Sequence, residues 1–251
     1  ANRGIGWALA QALARKGAYL ILLNRTTLGE KLNLLTQQGA TGIEEFLIDF
    51  SQPHEINHFL QQWGSRPFDV LINNAGQLTG GPLLDQPFLE IQQMLAVNLN
   101  ATIQLTQGLL PILIQQKSGK LVMNASVSAV MYFPFASTYA ASKAAIMALT
   151  YSLRAELKGS GVSTLLLFTP GIRTRMFNEI ETKYGKHLDV SQLPTLSADE
   201  YAQIVVSKIE ADEEEYLPRG STGWVFRLAR SWPSLFAQLI TFKSKKNKGE
   251  E

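Results

Sequence analysis

Apolar residues along this chain come in two alternating textures. Short continuous runs at 19–23, 43–49, 69–73, 120–124 and 162–168 have the length of strands and suit burial on both faces of a parallel sheet. Between and after them, apolar positions recur with helical period at 7–16, 29–38, 55–63, 89–116, 137–157 and 198–209. A short final strand is expected at 215–217. Strands alternating with helices require right-handed crossovers, which predicts an α/β fold with a doubly wound parallel sheet. No internal repeat and no Gly/Ser/Pro-rich linker breaks the pattern. Residues 1–218 therefore read as one domain and 219–251 as a tail. In such sheets ligands bind beyond the carboxyl ends of the strands. Polar residues collect at those places: Asn24-Arg25, Asp49, Asn73-Asn74-Ala75-Gly76, Ser126 and Pro170-Gly171.

The chain opens Ala1-Asn2-Arg3-Gly4-Ile5-Gly6 and passes straight into its first helical stretch. Gly4 and Gly6 stand where a tight turn tips into a helix whose N-terminus can hold a pyrophosphate. Such a turn normally receives a strand, and no strand-like run precedes it. The expectation is a Rossmann-like sheet whose central first strand, about ten residues with its turn, is missing from the chain. Its neighbours would be 19–23 and 69–73.

Composition narrows the function. The 251 residues, 45% hydrophobic and 18% charged, allow one well-cored domain. A formal net charge of +2 is too weak for a nucleic-acid partner, and no aromatic-interleaved basic groove is present. Cysteine is absent, which excludes disulfides and thiolate chemistry. His54 and His58 lie one helical turn apart with no third ligand near, so they read as a solvated face and no metal is expected. No apolar run is long enough to span a bilayer. The reading is a cytoplasmic protein.

The chemistry concentrates in two places. Tyr139-Ala140-Ala141-Ser142-Lys143 opens a long helix, and a spacing of four puts phenol and ammonium on one face. A free phenol titrates near 10 and is a poor base at neutral pH; a neighbouring ammonium favours its phenolate. Ser126 follows the strand at 120–124, where its hydroxyl would meet the same substrate oxygen. No histidine accompanies a Gly-x-Ser-x-Gly elbow, so Ser126 reads as a donor to a carbonyl and not as a nucleophile.

With Gly4-Ile5-Gly6, Asp49, Asn73-Asn74-Ala75-Gly76, Asn98, Ser126, Tyr139 with Lys143, and Pro170-Gly171 falling in order, the chain resembles the single-domain, NADP-dependent branch of the short-chain dehydrogenase/reductase family over roughly residues 1–217. The resemblance implies that Tyr139 is the general acid for ketone reduction and that Ser126 binds the carbonyl oxygen. Lys143 would hold the nicotinamide ribose and lower the tyrosine pKa, and Asn98 would kink the fourth helix and support a proton-relaying water. Asp49 would meet the adenine edge, and Asn74, Ala75 and Gly76 would line the adenosine side of the groove. Pro170, Gly171 and Thr174 would border the nicotinamide. Two departures stand out: the family's Thr-Gly pair and strand ahead of the glycines are missing, and Thr174 follows Pro170 by four positions where five is usual.

Cofactor choice turns on the end of the second strand. An acidic residue there would accept from a ribose 2′-hydroxyl and repel a 2′-phosphate. Here the residues are Asn24-Arg25, and Arg3 stands just before Gly4. Two guanidinium forks with no carboxylate between them predict NADP. Met131-Tyr132-Phe133-Pro134-Phe135 and Met176-Phe177 would give an apolar pocket suited to a lipophilic ketone or alcohol. The alternatives are a 3-oxoacyl carrier-protein reductase, for which Arg173 and Arg175 would form a docking patch, and a non-catalytic NADP-binding sensor. A homo-oligomer is expected. The tail mixes apolar residues, Trp224 and Trp232 among them, with seven basic ones, and Pro233 should divide it into two short helices. It would lie over the cleft, in a subunit interface, or on a membrane surface.

Overall fold

Side chains alternate from face to face along a strand, and the two central strands show it. The computed structural model describes residues 1–184, 195–232 and Phe236. In β4 (Gly119–Asn124), Leu121 and Met123 enter one apolar cluster while Val122 enters another; in β5 (Val162–Leu167), Leu166 joins the first and Leu165 and Leu167 the second. Each strand is thus buried on both faces, as its continuous apolar run requires. One face is covered by α1 (Gly4–Ala14) and α8 (Ala198–Glu210). The other is covered by α5 (Ala101–Gln116), α6 (Ser137–Glu156) and the tail helix α9 (Gly220–Ser231).

All strand pairs among the described residues are parallel. β3 (Val70–Asn73), β4, β5 and β8 (Glu215–Tyr216) form one ladder, in that order. β1 (Tyr19–Asn24) pairs only with β2 (Gly42–Leu47). Direct pairing of β1 with β3 would contradict the expected central strand between them; among the described residues these two share no ladder. α2 (Lys31–Gln37) and α3 (Pro53–Trp63) complete the crossovers on that side, Phe59 and Trp63 of α3 packing against Phe46 of β2.

Two expectations change. The single helix expected at 89–116 is α4 (Phe88–Leu95), a π-helical turn (Ala96–Asn100) and α5. Apolar period alone does not register one extra residue in a turn. The stretch after Pro170 also gains elements: β6 (Gly171–Arg173) pairs with β7 (Thr195–Ser197), and α7 (Arg175–Tyr184) leaves between them. Ser197 starts α8 through a capping box with Glu200. In the tail, α9 packs on the domain, Phe226 lying on Phe168 with ring centroids 4.8 Å apart. The expected division at Pro233 lies outside the described residues, as does His187.

Candidate active site

Tyr139 and Lys143 face the sheet top from α6, as a spacing of four dictates. The ammonium sits 5.8 Å from the phenol ring centroid. Ser126 leaves β4 in extended conformation and caps a 3₁₀ turn, its Oγ accepting the Ser128 N–H at 3.1 Å. The same hydroxyl lies near enough to the Tyr139 phenol to favour its ionised form. A strand end and a helix start thus bring two hydroxyls to one point.

The electrostatics differ from the sequence expectation. Burial pushes the Tyr139 phenol up to about 12, and the nearby Ser126 hydroxyl only partly opposes it. Lys143, whose ammonium donates to the Asn124 carbonyl oxygen at 2.8 Å, gives no downward push, because it has lost its charge before the phenol ionises. Burial holds Lys143 itself down at about 8. The phenol in this arrangement keeps its proton at neutral pH.

The π turn places Asn98 inside the protein, 1% exposed. Such single turns are frequent at functional sites because they re-aim a side chain within a helix. The Asn98 Oδ1 accepts the Gln77 N–H at 2.7 Å, and its Nδ2 donates to the Gln77 carbonyl at 3.0 Å and the Ser142 Oγ at 3.1 Å. Ser142 in turn donates to the Tyr139 carbonyl at 2.7 Å. The Asn98 amide is taken up by protein partners that tie the loop after β3 to α6.

A second network escaped sequence reasoning. Asn124, at the end of β4, donates to the Asn74 Oδ1 at 2.8 Å and accepts from the Thr169 hydroxyl, which is 2.6 Å from the Tyr201 hydroxyl. Asn124 therefore holds Lys143 through its backbone and Asn74 through its side chain. Its only signal in the sequence was a polar residue closing an apolar strand.

The glycine turn makes a cradle. Gly4 has φ +53°, and a β-carbon there would lie 3.3 Å from the Thr174 γ-methyl. A β-carbon on Gly6 would come within 3.1 Å of the Asn74 Nδ2, and one on Gly76 would sit 3.4 Å from the Asn98 Oδ1 and 3.7 Å from the Lys143 Nζ. Gly4, Ile5 and Gly6 open α1, which has no side-chain cap and no acidic residue in its first turn. Their N–H groups and the positive end of the helix thus face this space. Thr174, one position early in sequence, still abuts the turn; Pro170 and Gly171 lead to it from β5. Glycines, uncapped backbone donors and the Lys143 ammonium border this space, a donor set suited to the phosphates and ribose of a dinucleotide.

At the far end of β1, Arg3 and Arg25 are exposed, and Arg25 adds to the pull on Asp49. Burial raises the Asp49 carboxyl, but the Ser51 hydroxyl and N–H, with Arg25, hold it below the usual range. Asp49 thus lies within the electrostatic reach of Arg25. Glu45 of β2 lies beneath the loop 24–28, accepting from the Asn24 amide at 2.9 Å, the Thr27 hydroxyl at 2.7 Å and the Leu28 N–H at 2.8 Å. Its oxygens are engaged by that loop, so it braces the segment carrying Arg25.

The aromatic stretch before Tyr139 divides. Met131 is buried and Phe133 packs on the core, whereas Tyr132 is 49% exposed. Phe135 has φ +64°, a rare conformation for an aromatic residue, and its carbonyl accepts the Gly81 N–H at 2.8 Å. Arg173 is spent on the Thr195 carbonyl and Arg175 on Glu179. Both side chains remain largely exposed.

Comparison with known proteins gives the same picture. The profile of the family described as short chain dehydrogenase matches residues 1–185. The chain is 32% identical over 187 residues to ketoacyl reductase HetN of Nostoc, covering 73% of this chain and 64% of that one. It is 35% identical over 178 residues to the NADPH-dependent 1-acyldihydroxyacetone phosphate reductase of Saccharomyces cerevisiae, covering 69% of this chain and 59% of that one. The chain thus spans less than two thirds of either relative. A metagenomic short-chain oxidoreductase solved with NADP superposes with a TM-score of 0.71 at 28% identity, covering 88% of this chain and 94% of the other.

Proposed function

Because the chain belongs to the short-chain dehydrogenase family, we propose that it is an NADPH-dependent oxidoreductase that reduces an apolar ketone to its alcohol, with Tyr139 as general acid. The observation that carries this reading is the meeting of the Ser126 and Tyr139 hydroxyls at the sheet top, with Lys143 beside them. Bound NADPH supplies the hydride. Ser126 donates to the carbonyl oxygen and orients it. A phenol held at about 12 is fully protonated at neutral pH, so Tyr139 has a proton to give as that oxygen gains charge. Lys143 holds ribose hydroxyls, and Asn98 and Asn124 keep Lys143 and the Tyr139 turn in register. Gly4, Ile5 and Gly6 take the pyrophosphate, Arg3 and Arg25 the 2′-phosphate, and Asp49, Asn74, Ala75 and Gly76 the adenosine side. Pro170, Gly171 and Thr174 border the nicotinamide.

An apolar substrate is supported by exposed Tyr132, seven residues before Tyr139, by exposed Met176, two after Thr174, and by the acylated substrate named for the yeast relative. Self-association belongs to the same reading: Leu84 is 95% exposed, with Leu83, Phe88 and Leu89 exposed around it. Among the described residues no helix is long and apolar enough to cross a membrane. Consumption of NADPH with a ketone panel of graded apolarity tests the reading. Turnover should rise with apolarity and vanish in Tyr139→Phe. Tight NADPH binding with no turnover of any ketone would refute it in favour of a sensor.

A further inference from the structure

The tail helix α9 has two unlike faces. Gly223, Phe226 and Ala229 are buried against the domain. Arg230 fastens the helix further, bonding the Glu215 carboxylate at 3.0 Å and the Tyr151 hydroxyl at 2.6 Å. The opposite face is turned outward, with Trp224 74%, Val225 40% and Trp232 62% exposed. The Arg227 guanidinium lies 5.7 Å from the Trp224 ring centroid. Beside this face runs a cleft of about 340 Å³ lined by Lys208, Pro218, Arg219, Trp224 and Arg227, among others. The carboxylates in the cleft are already engaged, Glu213 by Lys208 and Glu215 by Arg230 and Arg154. Arg219 and Arg227 have no ion-pair partner among the described residues, so the cleft's uncommitted charge is positive.

We propose that this outer face is a docking surface for an anionic phospholipid bilayer, with the tryptophans at headgroup level and lipid phosphates at Arg219 and Arg227. Tryptophan is favoured at the membrane interface because its ring is apolar and its N–H stays solvated. An amphipathic helix with apolar and basic side chains on one face lies in that plane without crossing. The sequence from Arg219 onward carries seven basic residues against two glutamates. That excess attracts an anionic leaflet and makes a second copy repel the first across the same face. The buried face, held by Phe226 and Arg230, fixes which side is offered.

The test is sedimentation of the full chain with sucrose-loaded vesicles of phosphatidylcholine, with and without phosphatidylserine, read alongside tryptophan emission. The chain should sediment with the serine-containing vesicles only, shift its emission to the blue, and be released by high salt. The pair Arg219→Gln and Arg227→Gln should weaken partition about tenfold to thirtyfold, from roughly 1 kcal/mol per basic residue near a charged surface. The pair Trp224→Ala and Trp232→Ala should lose the emission shift. NADPH affinity, expected unchanged in both, shows that the variants are folded and is independent of the vesicle result. Equal sedimentation with both vesicle types, or full binding by the tryptophan pair, would overturn the proposal. So would a dimer, seen by analytical ultracentrifugation, that the tryptophan pair abolishes while vesicles capture nothing.

Discussion

Lys143 is 5% exposed and bonded to one backbone carbonyl, with no carboxylate ion-paired to it among the described residues. Burial holds its folded-state value at about 8, against 10.5 for an ordinary lysine. A group whose value is lowered on folding binds fewer protons in the native state than in the unfolded one between those two pH values. Stability therefore rises with pH across that window. The cost of burying the charge is fully present below pH 8 and has disappeared by about pH 10.5. The shift corresponds to roughly 3 kcal/mol, at about 1.4 kcal/mol per unit. In Lys143→Met the slope is removed. The loss of the hydrogen bond to Asn124 is the same at every pH and cancels from the comparison. For a chain of this size, the melting temperature of the wild type relative to the variant should climb by roughly 6–12 °C across the window. Thermal unfolding by circular dichroism at a series of pH values, without cofactor, measures it. The raised tyrosines, Tyr139 and Tyr151 at about 12, give up stability only above pH 10, and both proteins share them. Parallel curves for the two proteins between pH 8 and 10 would refute the reasoning and place the Lys143 ammonium in a solvated setting.

Other outcomes follow from the same site. Tyr139→Phe should lower kcat at least about a hundredfold while leaving the Kd for NADPH unchanged, the size expected for a positioned acid; retention of a tenth of the rate would remove Tyr139 from the chemistry. Arg25→Ala should cost about 1.5–3 kcal/mol of NADPH affinity and leave NADH binding alone, measured by titrating both cofactors. Asn98→Ala strips partners from Gln77 and Ser142 in a buried place, so it should destabilise by about 3 kcal/mol in denaturant unfolding. For ketone reduction, kcat/KM should fall as pH rises through about 8, because Lys143 loses the charge that holds the ribose while Tyr139 stays protonated; a profile flat to pH 10 would contradict this.

The sequence by itself determined the alternation of buried strands and amphipathic helices, because burial on both faces of a parallel strand demands an unbroken apolar run. It also determined that Tyr139 and Lys143 share a helix face, since four residues make about one turn, and that Ser126 follows a strand. Gly4, at φ +53°, was legible because few other residues take that conformation. What lay beyond it were properties set by neighbours distant in the chain. The π turn at Asn98 arises where α5 must pack and Asn98 must reach Gln77 and Ser142, and an apolar period does not encode that. Glu45 meets the Arg25 loop only because β1 and β2 pair in parallel register, Leu22 opposite Glu45. The sign of the pKa shifts was also decided in three dimensions. Spacing placed the ammonium near the phenol, but burial depth determined what each group feels. An electrostatic environment is a sum over everything folded around a charge, and the order of residues specifies it only through the fold.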